Sequence, residues 1–361
     1  MRTYLRLSVF ISAIICLSIL SGISPVRSDS YTIYYESERD GEPAIYRWTG
    51  DDAVAVTDPG CTHPSVTADG SMLVYTRIEE TLWGRFWNVF YMVNGEEHKL
   101  SANEIYDEME PVISRDGTFA AYTTMRAYNL EIITLSLNAN DLQYRITENE
   151  KPDEMPALAT GDEWVYWTGR TGVNSYIFRA PGHGGAQERI TTDAIAWEEH
   201  PSITADGRYI VYSAITKEDV VEEEEMEEED VDESVGDSSI DRELVASASK
   251  YPWMAEDTTE EEEEDIGDSE LEDSEESEGD GPQPMEGNSD IWILDQTTGV
   301  RTRLTTDESW EGHPSISADG MVIVFTSDRD GNYEIYRMNS DGSGLMRLTE
   351  NEVVDDYATI T

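Results

Sequence analysis

Residues 313–349 read HPSISADGMVIVFTSDRDGNYEIYRMNSDGSGLMRLT, and the opening of this stretch recurs along the chain. A proline starts a short strand that ends in an Asp-Gly turn at Pro64 (PSVTADG), Pro111 (PVISRDG), Pro156 (PALATGD), Pro201 (PSITADG) and Pro314 (PSISADG). The intervals are 47, 45, 45 and 113 residues. The long interval contains an acidic stretch at 218–287, and without it one period remains. A repeat of this length means that each unit is a supersecondary piece that must stack on its neighbours to bury a core.

A second marker confirms the period. Each unit closes on Thr or Ser after an apolar residue: Val56-Thr57, Leu100-Ser101, Ile146-Thr147, Ile190-Thr191, Leu304-Thr305 and Leu348-Thr349. Six endings face five proline openings. The missing opening lies at the far end, where Tyr357-Ala358-Thr359-Ile360-Thr361 falls one period after Pro314. Its continuation is Tyr31–Tyr35, Ala44–Trp48 and Ala53–Thr57, so one unit should combine both ends of the chain.

Within a unit the pattern is that of strands. Met72–Thr76, Tyr209–Tyr212 and Val322–Thr326 are rich in β-branched and aromatic residues and apolar on both faces. Asp-Gly at 69–70, 116–117, 206–207 and 319–320 marks tight turns in which Gly takes a positive φ. Four short strands per unit, repeated six times, predict an all-β six-bladed propeller.

The stretch at 314–349 resembles the TolB-type (WD40-like) propeller repeat, and weaker copies cover nearly all of 31–361 outside the acidic stretch. The copies at 111–147 and 156–191 are degenerate: Gly161-Asp162 inverts the Asp-Gly pair. The resemblance implies six antiparallel blades closed by strands from both termini. It extends to the propeller only, because TolB-type periplasmic proteins place an α/β domain first and here repeats begin at once after the leader. The expected organisation is a signal peptide at 1–28, a propeller at 29–217 and 288–361, and a disordered acidic insertion at 218–287.

Composition narrows the functional classes. Arg2 and Arg6, the apolar run Leu7–Leu20 and Val26-Arg27-Ser28 have the layout of a cleavable secretory leader, so an exported protein (periplasmic, extracellular or cell-surface) is expected. Cys61 is then the sole cysteine, and it reads as a blade residue. The net charge is −53, from 77 acidic and 24 basic residues. The insertion holds 32 acids and two bases, and only four of the basic residues are lysine. This balance argues against nucleic acid as a partner and suggests a salt-adapted source. A sequence so acidic over 218–287 cannot offset chain entropy by burial.

No nucleophile elbow, zincin helix, phosphate loop or dinucleotide fingerprint is present. Asp328–Asn332 lacks the spacing of a calcium loop. One constellation is better placed. The residue before each first strand is His63, Glu110, Met155, His200, His313 or Asp356, and first strands line a propeller's axis. His63, Glu110, His200, His313 and Asp356 are therefore candidate ligands for a divalent cation, calcium or a transition metal. Glu110, Glu154, Glu199, Glu311 and Asp355 are candidate contacts for a protein or peptide partner of basic character. Side chains capping loops within their own blades are the structural alternative. The expected function is a non-enzymatic binding or scaffold module, monomeric and free of the membrane once the leader is removed. A metal-dependent oligosaccharide lyase outside the cytoplasm is the enzymatic alternative.

Overall fold

The computed structural model describes residues 31–50, 52–101, 105–126, 129–137, 142–161, 163–172, 174–192, 195–220 and 287–361. The expected leader and nearly all of the expected insertion lie outside the described residues. Contacts divide the chain into a propeller unit, Met1–Ala214 with Ser289–Thr361, and a second unit at Ile215–Asn288.

The described residues form six four-stranded antiparallel sheets. In chain order, β1 (Ile33–Ser37), β2 (Ala44–Trp48) and β3 (Ala53–Ala55) come first. The second blade is β4 (Cys61–Val66), β5 (Met72–Thr81), β6 (Gly84–Val93) and β7 (Glu96–Lys99). The third is β8 (Glu108–Ile113), β9 (Phe119–Arg126), β10 (Asn129–Ser136) and β11 (Leu142–Arg145). The fourth is β12 (Asp153–Leu158), β13 (Trp164–Thr171), β14 (Asn174–Pro181) and β15 (Glu188–Arg189). The fifth is β16 (Ile195–Ile203), β17 (Tyr209–Val220), β18 (Gly287–Asp295) and β19 (Val300–Arg303), with the acidic stretch between β17 and β18. The sixth is β20 (Glu311–Ile316), β21 (Val322–Ser327), β22 (Glu334–Asn339) and β23 (Met346–Arg347). The last strand, β24 (Asp355–Ile360), pairs with β1, so the first blade is closed by the C-terminus as the repeat arithmetic requires.

The core lies between blades, and this explains the strands that are apolar on both faces. Along β21, Val322 and Val324 pack with Ile33, Tyr35 and Ala358 of the composite blade. The alternate residues Ile323 and Phe325 pack with Val211 and Ile291 of the fifth blade. The period of two along a strand thus serves two interfaces rather than core and solvent. Equivalent clusters join the remaining neighbours. Cys61 sits fully buried in one of them, and burial pushes its thiol up to about 11.

The recurrent Thr or Ser has one job in every blade. Its hydroxyl accepts the N–H of the third strand, at Ile45→Thr57, Val89→Ser101, Ile132→Thr147, Ile177→Thr191, Ile291→Thr305 and Ile335→Thr349, over 2.8–3.3 Å. The Asp-Gly aspartates accept from a hydroxyl two residues earlier, as in Thr67→Asp69 at 2.8 Å and Ser317→Asp319 at 2.7 Å. In the degenerate fourth blade the turn keeps its length, Leu158 pairing with Val165 as Val66 pairs with Leu73, but the glycine comes one residue earlier. At that earlier place Gly161 is itself left-handed, with φ +72° against +71° for Gly117 and Gly207.

Candidate functional site: the axial collar

Six non-glycine residues hold left-handed backbone at one equivalent position: His63, Glu110, Met155, His200, His313 and Tyr357, with φ between 48° and 55°. Such a conformation is uncommon outside glycine and disfavoured for bulky side chains. In β4, β8, β12 and β20 it coincides with a slip in pairing to the second strand, from Thr62 to Ser65, Met109 to Val112, Glu154 to Ala157 and Gly312 to Ser315. A bulge of this kind re-aims a side chain. Here all six residues are brought to the wall of one axial cavity of about 130 Å³. Five of the six are the residues read from the repeats. In the composite blade the position belongs to Tyr357, one residue beyond Asp356.

Tyr357 is the hub of the collar. His313 stacks on its ring at 3.9 Å between centroids and 12° between planes, and His63 lies 4.0 Å away on a tilted ring. His200 meets His313 edge to face at 4.3 Å, and Trp310 approaches His313 at 5.1 Å. Burial together with the charges of Asp356, Glu110, Glu36 and Glu199 drives the Tyr357 phenol well above its ordinary value, so it stays a neutral donor. Among the described residues no three His, Cys, Asp or Glu side chains are grouped so as to hold a metal ion.

The collar carboxylates are turned into the seams between blades. Asp356 Oδ1 accepts from His313 Nδ1 at 2.6 Å, Thr326 Oγ1 at 2.6 Å and its neighbour Tyr357 N at 2.7 Å. Burial alone would raise this carboxyl, yet the His313 imidazole and the hydroxyl donor hold it below the usual range. Glu110 Oε2 accepts from Thr123 Oγ1 and from Met155 N of the next blade, both at 2.9 Å. Glu36, on β1, accepts His63 N at 3.3 Å, and burial with the Asp356 charge pushes it up to about 8.

The remaining expected contacts take different places. Glu199, half-buried, sits next to His200 and bears electrostatically on Tyr357. Glu154 is buried against Arg170 at 3.2 Å. Glu311 and Asp355 lie inside their blades with no exposed surface, under Arg329 and under Arg39 at 3.3 Å respectively. Two residues before the collar position an acid is thus an internal blade feature, shared by Glu108, Asp153 and Glu198.

These buried acids set a pH dependence. Burial raises Glu36 to about 8, Glu198 to about 7 and Asp153 to about 6, against unfolded values near 4. The folded chain therefore holds protons that the unfolded chain has released. The stability these groups confer is fully present below about pH 4 and is lost as pH rises through 6 to 8. The melting temperature should fall by several degrees between pH 5 and pH 9, and Glu36→Gln should flatten the upper part of that slope. Scanning fluorimetry showing a flat or rising profile would contradict this.

Three residues of the site are not legible from the repeat alone: Tyr357, hidden by a one-residue offset, Glu36, contributed by the second strand of the composite blade, and Arg115, which lines the cavity beneath the collar. The only signal for Arg115 is that it breaks a repeat carrying Ala68, Ala205 and Ala318 at its place.

No family model matches the chain. An uncharacterized protein of Agrobacterium fabrum is 41% identical over 66 residues, which is 18% of this chain and 22% of that protein. The match thus spans about a fifth of that relative's length. Among solved structures, TolB from Acinetobacter baumannii superposes with TM-score 0.60 at 17% identity, over 97% of this chain and 71% of that one. A protein assigned as TolB from Agrobacterium tumefaciens gives 0.55 at 13% identity, over 89% and 88%. A chain of the nidogen/laminin complex gives 0.55 at 9% identity, over 91% and 98%. The fold is that of TolB-type six-bladed propellers.

Proposed function

We propose that this chain is an exported, non-enzymatic binding module whose axial pocket receives a segment of a protein partner. The observation that carries this reading is the collar. Six blades each spend a disfavoured left-handed residue to turn side chains toward one axis, and four of the six are aromatic or imidazole rings. Rings of this kind offer large contact area with little rotamer entropy to lose. Below them the wall is built mainly of Pro, Ser, Ala and aliphatic side chains, a largely apolar surface for an extended chain. The net charge of −53 favours Lys or Arg along the segment outside the pocket. The likeness to TolB propellers supports a binding or scaffold role.

Affinity selection from a soluble heptapeptide library, read by mass spectrometry, tests the reading. Recovered peptides should be rich in Lys and Arg and should be lost with His200→Ala of unchanged melting temperature. Equal recovery by both proteins would place binding elsewhere. A divalent cation is a second reading, favoured by the contact of His200 with His313. Titration calorimetry with Zn²⁺ and Ca²⁺ at moderate salt should show saturable heat abolished by His200→Ala with His313→Ala if that reading holds, and none if it fails.

A further inference from the structure

At the far end of the same axis one repeat breaks its pattern. PSVTADG, PSITADG and PSISADG carry Ala68, Ala205 and Ala318, whereas PVISRDG carries Arg115. Its side chain is 8% exposed and lines the cavity beneath the collar. Nε donates to Ile203 O at 3.4 Å and Nη2 to the same oxygen at 3.2 Å. Nη2 also donates to Ile316 O at 2.5 Å, and Nη1 to Ile360 O at 3.0 Å. These carbonyls end β16, β20 and β24, three first strands of three other blades. The guanidinium therefore lies across the axis and closes it.

The closure leaves a charge unbalanced. A guanidinium has five N–H hydrogens. Four have carbonyl acceptors, and among the described residues the second hydrogen on Nη1 has none. No carboxylate pairs with Arg115 among the described residues, and burial pulls the guanidinium down to about 10. Carbonyl dipoles solvate a cation without neutralising it, and a buried charge without a counter-ion is costly. The collar does not supply the missing anion, because Glu110 and Asp356 are engaged in the seams. From His200 to Ile203 the strand advances about 10 Å, room for roughly three extended residues.

We infer that the pocket is blind and recognises a terminal carboxylate, with Arg115 as its anion-binding floor beneath the ring of imidazoles and Tyr357. The inference rests on the binding-module reading and deepens it. A free carboxylate could belong to the C-terminus of a peptide or to a small organic acid, and the test separates the two.

The full chain is offered one heptapeptide library in two forms, free acid and C-terminal amide, with propionate as a small competitor. The expected result is at least tenfold greater recovery of free acids, reduced by millimolar propionate. In Arg115→Met the preference should vanish. That variant strands three carbonyls and is read only if it melts cooperatively. The acid-to-amide comparison on the wild type decides without it. Equal recovery of both forms overturns the carboxylate floor and leaves the peptide reading standing. Saturable propionate binding with no peptide recovered supports the floor and overturns the peptide reading. No binding of any probe overturns both.

Discussion

Removing Tyr357–Thr361 should abolish cooperative unfolding and leave a chain that aggregates. Four of the five residues belong to the six-residue β24, and β24 is the innermost strand of the composite blade. Its pairing with β1 runs from Ile33↔Ile360 to Ser37↔Asp355, and the truncation removes the Ile33↔Ile360 and Tyr34↔Thr359 half of it. Ala358 and Ile360 are core residues of the interface with the sixth blade. Burying an isoleucine contributes about 1.5–3 kcal/mol, a sizeable part of a typical domain's net stability. The truncation also removes the Thr361 link to Thr32, at 3.0 and 3.1 Å, and the Ile360 carbonyl from Arg115. What remains is a β1 edge unpaired at Ile33 and Tyr34 and facing the axis, an open template for another chain. Thermal melts followed by circular dichroism, with light scattering alongside, provide the check. A truncated protein that melts cooperatively within a few degrees of the full chain would show that the ring does not depend on this closure.

The ring itself was legible because repetition multiplies a weak signal. A single Asp-Gly after a short apolar run predicts only a turn, but five such openings and six Thr or Ser endings at one spacing leave few architectures. The collar was legible for the same reason, since the residue before each proline holds one conformation in every blade. Legibility failed where a unit departs from the repeat. The composite blade has Ala358 where the others have proline, so the spacing pointed to Asp356 and the left-handed residue is Tyr357. Glu311 and Asp355 are expected partner contacts because they lie close to the collar in sequence. They lie two residues before it, on its side of an unbroken strand, but the bulge breaks that period and they lie inside the blade, covered by arginines of the SDRDG and SERDG turns. A one-residue slip in register exchanges the faces on its two sides, so across a bulge sequence proximity to a site residue does not predict proximity in space.

Those turns carry the second large expectation. Arg329 of the sixth blade and Arg39 of the composite blade occupy equivalent places. Each guanidinium N–H from Nε goes to a serine hydroxyl, Ser327 at 3.1 Å and Ser37 at 3.0 Å. Each guanidinium also lies over a tyrosine of the third strand, Tyr336 at 4.9 Å and Tyr46 at 4.6 Å. Each then reaches a carboxylate with no exposed surface, Glu311 or Asp355. Arg329→Ala should cost about 3–5 kcal/mol, because it strands a buried negative charge rather than merely deleting an attraction. The double variant Arg329→Ala with Glu311→Gln should recover a large part of that loss, since no charge is then left inside. Glu148→Ala provides the contrast. Its partner Arg145 lies 2.9 Å away, but Glu148 is 76% exposed, and its loss should change stability by less than about 1 kcal/mol. Urea titrations of the four proteins give the comparison directly. If Arg329→Ala and Glu148→Ala were equally mild, the Glu311 carboxylate would have to be protonated or hydrated in the folded blade. The repeated SDRDG turn would then be a feature of the hairpin alone, with no part in holding the first strand to its blade.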